Sequence, residues 1–269
     1  MSTDSAVTLR ATDDPTRRDW VAIYCAILGA FMAMMDIQIT NSSLKEIQGA
    51  LSATLEEGSW ISTSYLVAEI IMIPLTAWLT QLLSVRRLAV WITSGFMVSS
   101  VLCSLAWNLE SMIVFRALQG FSGGALIPLA FTLSYMKVPD RLRPKTMALF
   151  ALTATFAPSI GPTLGGWLTD NFGWEYIFYI NLPPALLMIA GLMYSLDREK
   201  PNWSLLKQTD YAGIVCMAIG LGCLQVFLEE GYRKDWLESS LIVTLGCIAF
   251  IALGLFVILH FSREHPLLN

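Results

Sequence analysis

The chain has 269 residues, of which 55% are hydrophobic and only 14% charged, with a formal net charge of −4. A water-facing surface needs more charge than that, and apolar runs close to twenty residues recur from end to end. A soluble globular domain is therefore excluded, and an all-α integral membrane protein seated in a lipid bilayer is expected. No basic patch interleaved with aromatics occurs, so nucleic acid is not an expected partner. The five cysteines (Cys25, Cys103, Cys216, Cys223 and Cys247) lie inside apolar runs, with no CxxC pair and no His/Cys cluster. They read as small buried hydrophobes, and no disulfide, metal site or cofactor is expected.

Residues 1–19 form a polar tail without a signal-peptide core. A membrane-crossing helix needs about 20 mostly apolar residues. Eight stretches meet that requirement, at 20–44, 60–83, 87–107, 111–135, 145–169, 175–196, 211–229 and 241–261, here called spans 1 to 8. Tryptophans at Trp20, Trp60, Trp107, Trp167, Trp174 and Trp236 mark their ends, where amphipathic rings meet the interface. With the N-terminus in the cytoplasm, thirteen Lys and Arg fall in inner segments and three (Lys45, Arg233, Lys234) in outer loops, while Arg116 lies within a span. That asymmetry orients the chain with its N-terminus inside. The loop at 197–210, with Pro201, divides a six-span bundle (20–196) from two further spans and a C-terminal stub (211–269).

Ionisable side chains inside spans are costly and mark functional positions by default. Asp36, Glu69 and Arg116 are the three that stand out. At about 1.5 Å per residue, Asp36 lies roughly 24 Å from the inner face and Arg116 roughly 8 Å below the outer one. In a core of about 30 Å these depths coincide, and an Asp36–Arg116 pair is permitted. Glu69 lies roughly 14 Å deep, where a carboxyl costly to ionise suits a reversible proton carrier. The alternatives are a helix-end polar Asp36, a structural hydrogen-bonded Glu69, and an Arg116 that snorkels to the interface. On span 4, Arg116, Gln119, Gly120, Gly123 and Gly124 share one helical face, a polar head above a glycine groove that suits close packing beside a cavity. Ser62, Tyr65 and Glu69 form a polar stripe on span 2. Span 5 holds Pro158, Gly161, Pro162, Gly165 and Gly166, where prolines bend a helix and glycines allow tight contact. Gly120-Phe121-Ser122-Gly123-Gly124 matches G-x-S-x-G, but a nucleophile elbow needs a strand-turn-helix. The only histidines, His260 and His265, fall at the end of span 8, so no base is at hand and no enzyme is expected.

Taken together, these segments resemble the major facilitator superfamily, in particular its fourteen-span drug:proton antiporters of the EmrB/QacA type. Met35-Asp36-Ile37-Gln38-Ile39-Thr40-Asn41 is similar to the span 1 signature, and Arg116-Ala117-Leu118-Gln119-Gly120 to R-x-x-Q-G on span 4. Ala157-Pro158-Ser159-Ile160-Gly161-Pro162-Thr163-Leu164-Gly165-Gly166 is similar to the span 5 antiporter motif. Trp174 through Pro183 is similar to W-x-W-I-F-x-I-N-x-P, and Leu224-Gln225 through Asp235-Trp236 to the EmrB branch. The resemblance implies proton coupling by Asp36 and Arg116, with Glu69 an addition that the family does not supply. Gln38, Tyr65, Gln119, Gly120, Gly123 and Gly124 are the candidates for cavity lining or packing, and the resemblance implies a seal at span 5. It further implies export of amphipathic small molecules across the bacterial inner membrane, with a periplasmic adaptor and an outer-membrane channel as partners. The chain departs from the family in the motif between spans 2 and 3, where Ala77-Trp78-Leu79-Thr80-Gln81-Leu82-Leu83-Ser84-Val85-Arg86-Arg87 lacks the usual acid. Span 1 carries Gln38 where threonine is favoured and Lys45 where proline is favoured. The family's second six-span bundle is expected to be missing, and a truncated membrane scaffold that does not transport is the alternative reading.

Overall fold

The computed structural model describes residues 14–262. Eight helices in it are long and apolar enough to cross a membrane: Arg17–Ser42, Leu55–Leu83, Val85–Ser104, Leu109–Lys137, Asp140–Phe172, Tyr176–Ser195, Tyr211–Glu230 and Ser240–Ser262. They match the eight expected spans, with ends shifted by a few residues. Span 1 begins earlier than the tail boundary at residue 19 implies. Thr16 and Asp19 form a reciprocal capping box that starts the helix at Arg17, and Lys137 lies 3.3 Å from Asp19. The calls on residues 1–13, Arg263, His265 and the final stub lie outside the described residues.

Two spans are interrupted, each where proline withholds a backbone donor. Span 4 is two helices, Leu109–Gly123 and Leu126–Lys137, because Pro128 has no N–H to offer the Gly124 carbonyl. Span 6 is a short turn, Tyr176–Tyr179, followed by Leu182–Ser195. Pro183 and Pro184 leave the Tyr179 and Ile180 carbonyls without helical donors, and Asn181 sits at the break. The first connection is folded as well, through short helices Leu44–Ala50 and Leu55–Gly58.

Span 1 is central and packs on spans 4, 5 and 6, while span 4 packs on spans 2 and 3 as well. Exchanging spans 1, 2 and 3 for 4, 5 and 6 leaves this pairing unchanged: 1–5 corresponds to 4–2, 1–6 to 4–3, and 3–6 maps to itself. Spans 1 and 4 run in opposite directions in an alternating topology, so the six-helix unit has the contact pattern of an inverted repeat. Spans 7 and 8 pack on each other, and span 7 also lies against span 2. The linker is tied to that same helix, with Trp78 Nε1 donating to Thr209 Oγ1 at 3.1 Å and Asn202 N to the Leu82 carbonyl at 2.8 Å. Not every cysteine is buried as expected. Cys25 and Cys103 are, but Cys247 is exposed on span 8, the face left to lipid.

Candidate functional site

Where spans 1, 2, 3, 4 and 6 converge, Asp36 and Arg116 meet, each with 1% of its surface exposed. Arg116 Nη1 donates to Asp36 Oδ2 at 2.6 Å and to Gln119 Oε1 at 2.6 Å. Its Nε reaches the Ile61 carbonyl at 3.4 Å, and its guanidinium lies 4.2 Å from the centre of the Tyr65 ring. The second carboxylate oxygen, Asp36 Oδ1, accepts from Gln119 Nε2 at 3.0 Å and from Asn181 Nδ2 at 2.7 Å. Ser100 Oγ, on span 3, accepts from the same two amides at 2.8 and 3.3 Å. Five spans thus contribute to one closed polar cluster in an apolar bundle. Arg116 does not snorkel, and Asp36 is not a helix-end residue. A charge pair this deep survives because both carboxylate oxygens and two of the three guanidinium nitrogens are hydrogen-bonded, while Asn181 Oδ1 and the Tyr65 hydroxyl have no partner among the described residues.

The glycine face of span 4 brings the cluster together. A Cβ at Gly120 would fall on the Tyr65 carbonyl oxygen, one at Gly123 within 2.5 Å of the Tyr65 hydroxyl, and one at Gly124 within 2.5 Å of the Glu69 carbonyl oxygen. Only glycine lets spans 2 and 4 approach so closely that Arg116 crosses to Ile61 and Tyr65.

The other expected site residues are placed differently. Glu69 is buried one turn beyond Tyr65 and makes no hydrogen bond among the described residues, so the structural hydrogen-bonded acid is not what is seen. Ser62 turns from the span 2 stripe towards Asn41, to which it donates at 2.6 Å. Gln38, two residues from Asp36, faces span 5, its Cβ 2.6 Å from where a Gly161 Cβ would stand. The span 5 motif faces two ways. Gly161 and Gly165 pack on Gln38, Ile39 and Ser42 of span 1, whereas Pro158 and Pro162 are exposed and Gly166 has nothing within 4 Å of its Cβ position. Ser122 spends its hydroxyl on the Leu118 carbonyl of its own helix at 3.1 Å.

Sequence reasoning missed Asn181 and Ser100 as partners of Asp36. Uncharged and short, they carry no signal of burial, although Asn181 stands in the I-N-x-P stretch that broken span 6 turns inward. It also missed Glu230, which is buried at the end of span 7 and accepts from Thr63 Oγ1 at 2.7 Å and Ser59 Oγ at 3.2 Å.

Residues 26–265 match the Major Facilitator Superfamily family model. The chain is 40% identical, over 95% of its length, to 50% of the colistin resistance protein EmrB of Acinetobacter baumannii. It is 36% identical, over 93% of its length, to 49% of the fatty acid resistance protein FarB of Neisseria gonorrhoeae. It is 33% identical, over 90% of its length, to 47% of the multidrug export protein EmrB of Escherichia coli K12. The chain therefore spans about half the length of the curated relatives it matches. Among solved structures, a D-xylose-proton symporter shares the fold, with a TM-score of 0.58 at 14% identity over 90% of this chain and 68% of that one. With eight helices fit to cross a bilayer, a shared fold and a family match over nearly its whole length, this multi-pass membrane chain belongs to the Major Facilitator Superfamily.

Proposed function

We propose that these residues form the proton-handling part of a secondary antiporter that exports amphipathic small molecules across the bacterial cytoplasmic membrane, with the N-terminus inside. The observation that carries this reading is the Asp36–Arg116 pair, the one ion pair among the described residues with both partners almost fully buried. Asp36 is the proton site. A proton on Asp36 removes the negative charge that Arg116 faces and turns one carboxylate acceptor into a donor. Arg116 then keeps Gln119 Oε1, the Ile61 carbonyl and the Tyr65 ring face, while Asn181 and Gln119 must re-pair around Asp36. Because that cluster joins five spans, one proton biases how the helices pack, and exchange of proton for substrate follows if the two packings open to opposite sides. Glu69, buried without a hydrogen bond among the described residues, is the second candidate proton carrier.

The names of the relatives (colistin, fatty acid and multidrug resistance) support an amphipathic cargo expelled from the cell. A second six-helix bundle, a periplasmic adaptor and an outer-membrane channel complete the assembly we propose. The test uses inverted vesicles holding a two-bundle transporter that carries these 269 residues. Substrate addition should release protons from acidified vesicles, and Asp36→Asn and Arg116→Ala should each abolish that release when vesicles are matched for the amount of folded transporter. Wild-type proton release in both variants would overturn the proposal.

A further inference from the structure

Span 3 starts with the wrong charge. Its helix, Val85–Ser104, has no acid in its first turn and no side-chain cap from Ser84. Arg86 and Arg87 instead put two cations at the positive end of the helix dipole, where free backbone amides already favour an anion. Ser84 itself is held at φ 74°, is 7% exposed, and its hydroxyl finds no partner among the described residues. Arg198, from beyond the end of span 6, joins the same place.

These groups line a cavity of about 320 Å³ together with Glu199, Val90, Trp91 and Met193. Three arginines and one glutamate line it, and none of the three arginines forms an ion pair among the described residues. The cavity does not end at the charges. Val90 and Trp91 also line a second groove, of about 360 Å³, that continues along Ser94, Gly95 and Val98. Its floor is the close contact of spans 3 and 4 at Gly95, whose Cβ would lie 2.7 Å from Ser122 Oγ. Trp91 is 75% exposed on its wall, and Val98 54%. From residue 85 to residue 98 the helix rises roughly 20 Å, more than the depth of one leaflet in a core of about 30 Å. A cationic head above an apolar groove of leaflet length has the shape of one lipid molecule.

We infer that the start of span 3 is a binding site for an anionic phospholipid. The phosphate is held by the first-turn amides and the Arg86, Arg87 and Arg198 guanidiniums, above a Ser84 whose own hydroxyl is buried, and an acyl chain lies along Trp91, Gly95 and Val98. Phosphate suits this end chemically, since helix N-termini and guanidinium forks both bind its oxygens. A zwitterionic headgroup brings a cation into a cluster that already has too many. With the N-terminus inside, the site opens to the cytoplasmic leaflet, where basic pockets recruit acidic lipid. The inference rests on this cluster alone and is independent of proton coupling.

Native mass spectrometry of the purified 269-residue chain tests it, with dioleoyl-phosphatidylglycerol, dioleoyl-phosphatidylcholine and sodium phosphate as probes. Phosphatidylglycerol should bind at least tenfold more tightly than phosphatidylcholine. That preference should vanish in the double variant Arg86→Gln/Arg87→Gln and survive in Arg87→Lys. Ser94→Trp, which fills the groove and leaves every charge in place, should weaken phosphatidylglycerol tenfold as well. It also serves if the double variant fails to fold, as judged by its melting without lipid. Equal binding of the two lipids, displacement of phosphatidylglycerol by millimolar phosphate, or no effect of Ser94→Trp would each overturn the lipid site.

Discussion

Asp36 is held by three donors on two oxygens, and these donors are not equivalent. Loss of Arg116 strands a buried carboxylate, so Arg116→Ala should destabilise the folded chain by about 3–5 kcal/mol. Asn181→Ala removes one neutral donor while Gln119 and Arg116 remain, for about 1–3 kcal/mol. Tyr65→Phe removes a hydroxyl that has no partner among the described residues but keeps the ring under Arg116, so it should change stability by less than about 1 kcal/mol. Melting of the purified variants in one detergent orders the three. A Tyr65→Phe loss as large as that of Asn181→Ala would mean that the hydroxyl, and not the ring, supports the guanidinium. The charged members of the cluster were legible because an ion in an apolar run is conspicuous and helical rise places Asp36 and Arg116 at one depth. Asn181 and Ser100 were not, since a short neutral side chain looks the same buried, capping or exposed.

Helices repeat this lesson on a larger scale. Apolar length and aromatic punctuation were enough for the eight spans, because a bilayer fixes both. The breaks at Gly124–Ala125 and Ile180–Asn181 escaped, since they depend on which carbonyls a proline three or four residues on leaves without a donor. Glycine positions in span 5 were visible, but the partner of each was not. Gly165 lies against Ile39 and Ser42, with the Ile39 carbonyl oxygen 2.9 Å from its Cβ position, whereas Gly166 faces open space. Gly165→Ala should therefore force spans 1 and 5 apart, at a cost of about 1–3 kcal/mol. Gly166→Ala should be neutral or slightly stabilising in this 269-residue chain, by about 0.4–1 kcal/mol through the unfolded state. Thermal melts of the two neighbours decide it. Similar losses for both would show that the motif acts through backbone flexibility and not through one packed face.

At the scale of the whole molecule, the inverted pairing of spans 1–3 with 4–6 was hidden in the sequence, because it resides in contacts and the two halves carry different residues. Orientation, by contrast, rests on sequence alone. Thirteen inner against three outer cations should keep both ends in the cytoplasm. Ser2→Cys and Asn269→Cys should then react with an impermeant maleimide only after the membrane is opened, and labelling of either in intact cells would reverse the topology.

The attachment of spans 7 and 8 is a separate question, because they meet the six-helix unit mainly along span 2. That seam is apolar over Gly222, Val67 and Ile71 and ends in a polar knot, where Glu230 takes hydrogen bonds from Ser59 and Thr63 and Lys234 pairs with Glu56 nearby. In a membrane, apolar contact between helices competes with equally apolar lipid, so packing and polar contacts must decide whether span 7 stays on span 2. The Lys234–Glu56 pair is largely exposed on its acidic side and contributes little, which leaves Glu230 as the principal polar tie at this end of the seam, with Trp78–Thr209 at the other. Gly222→Cys and Val67→Cys report on docking, because a Gly222 Cβ would stand 3.6 Å from Val67 Cγ1, in van der Waals contact across the seam. In a background without other cysteines, the pair should cross-link readily with wild-type Glu230. Glu230→Gln keeps an acceptor for one hydroxyl and offers its amide N–H to the oxygen of the other, and should preserve most of the yield. Glu230→Ala takes the acceptor from Thr63 and leaves Ser59 only the Glu56 carbonyl, and should lower the yield several-fold. Equal cross-linking in all three would show that the apolar seam and the Trp78–Thr209 end hold the two extra spans without Glu230.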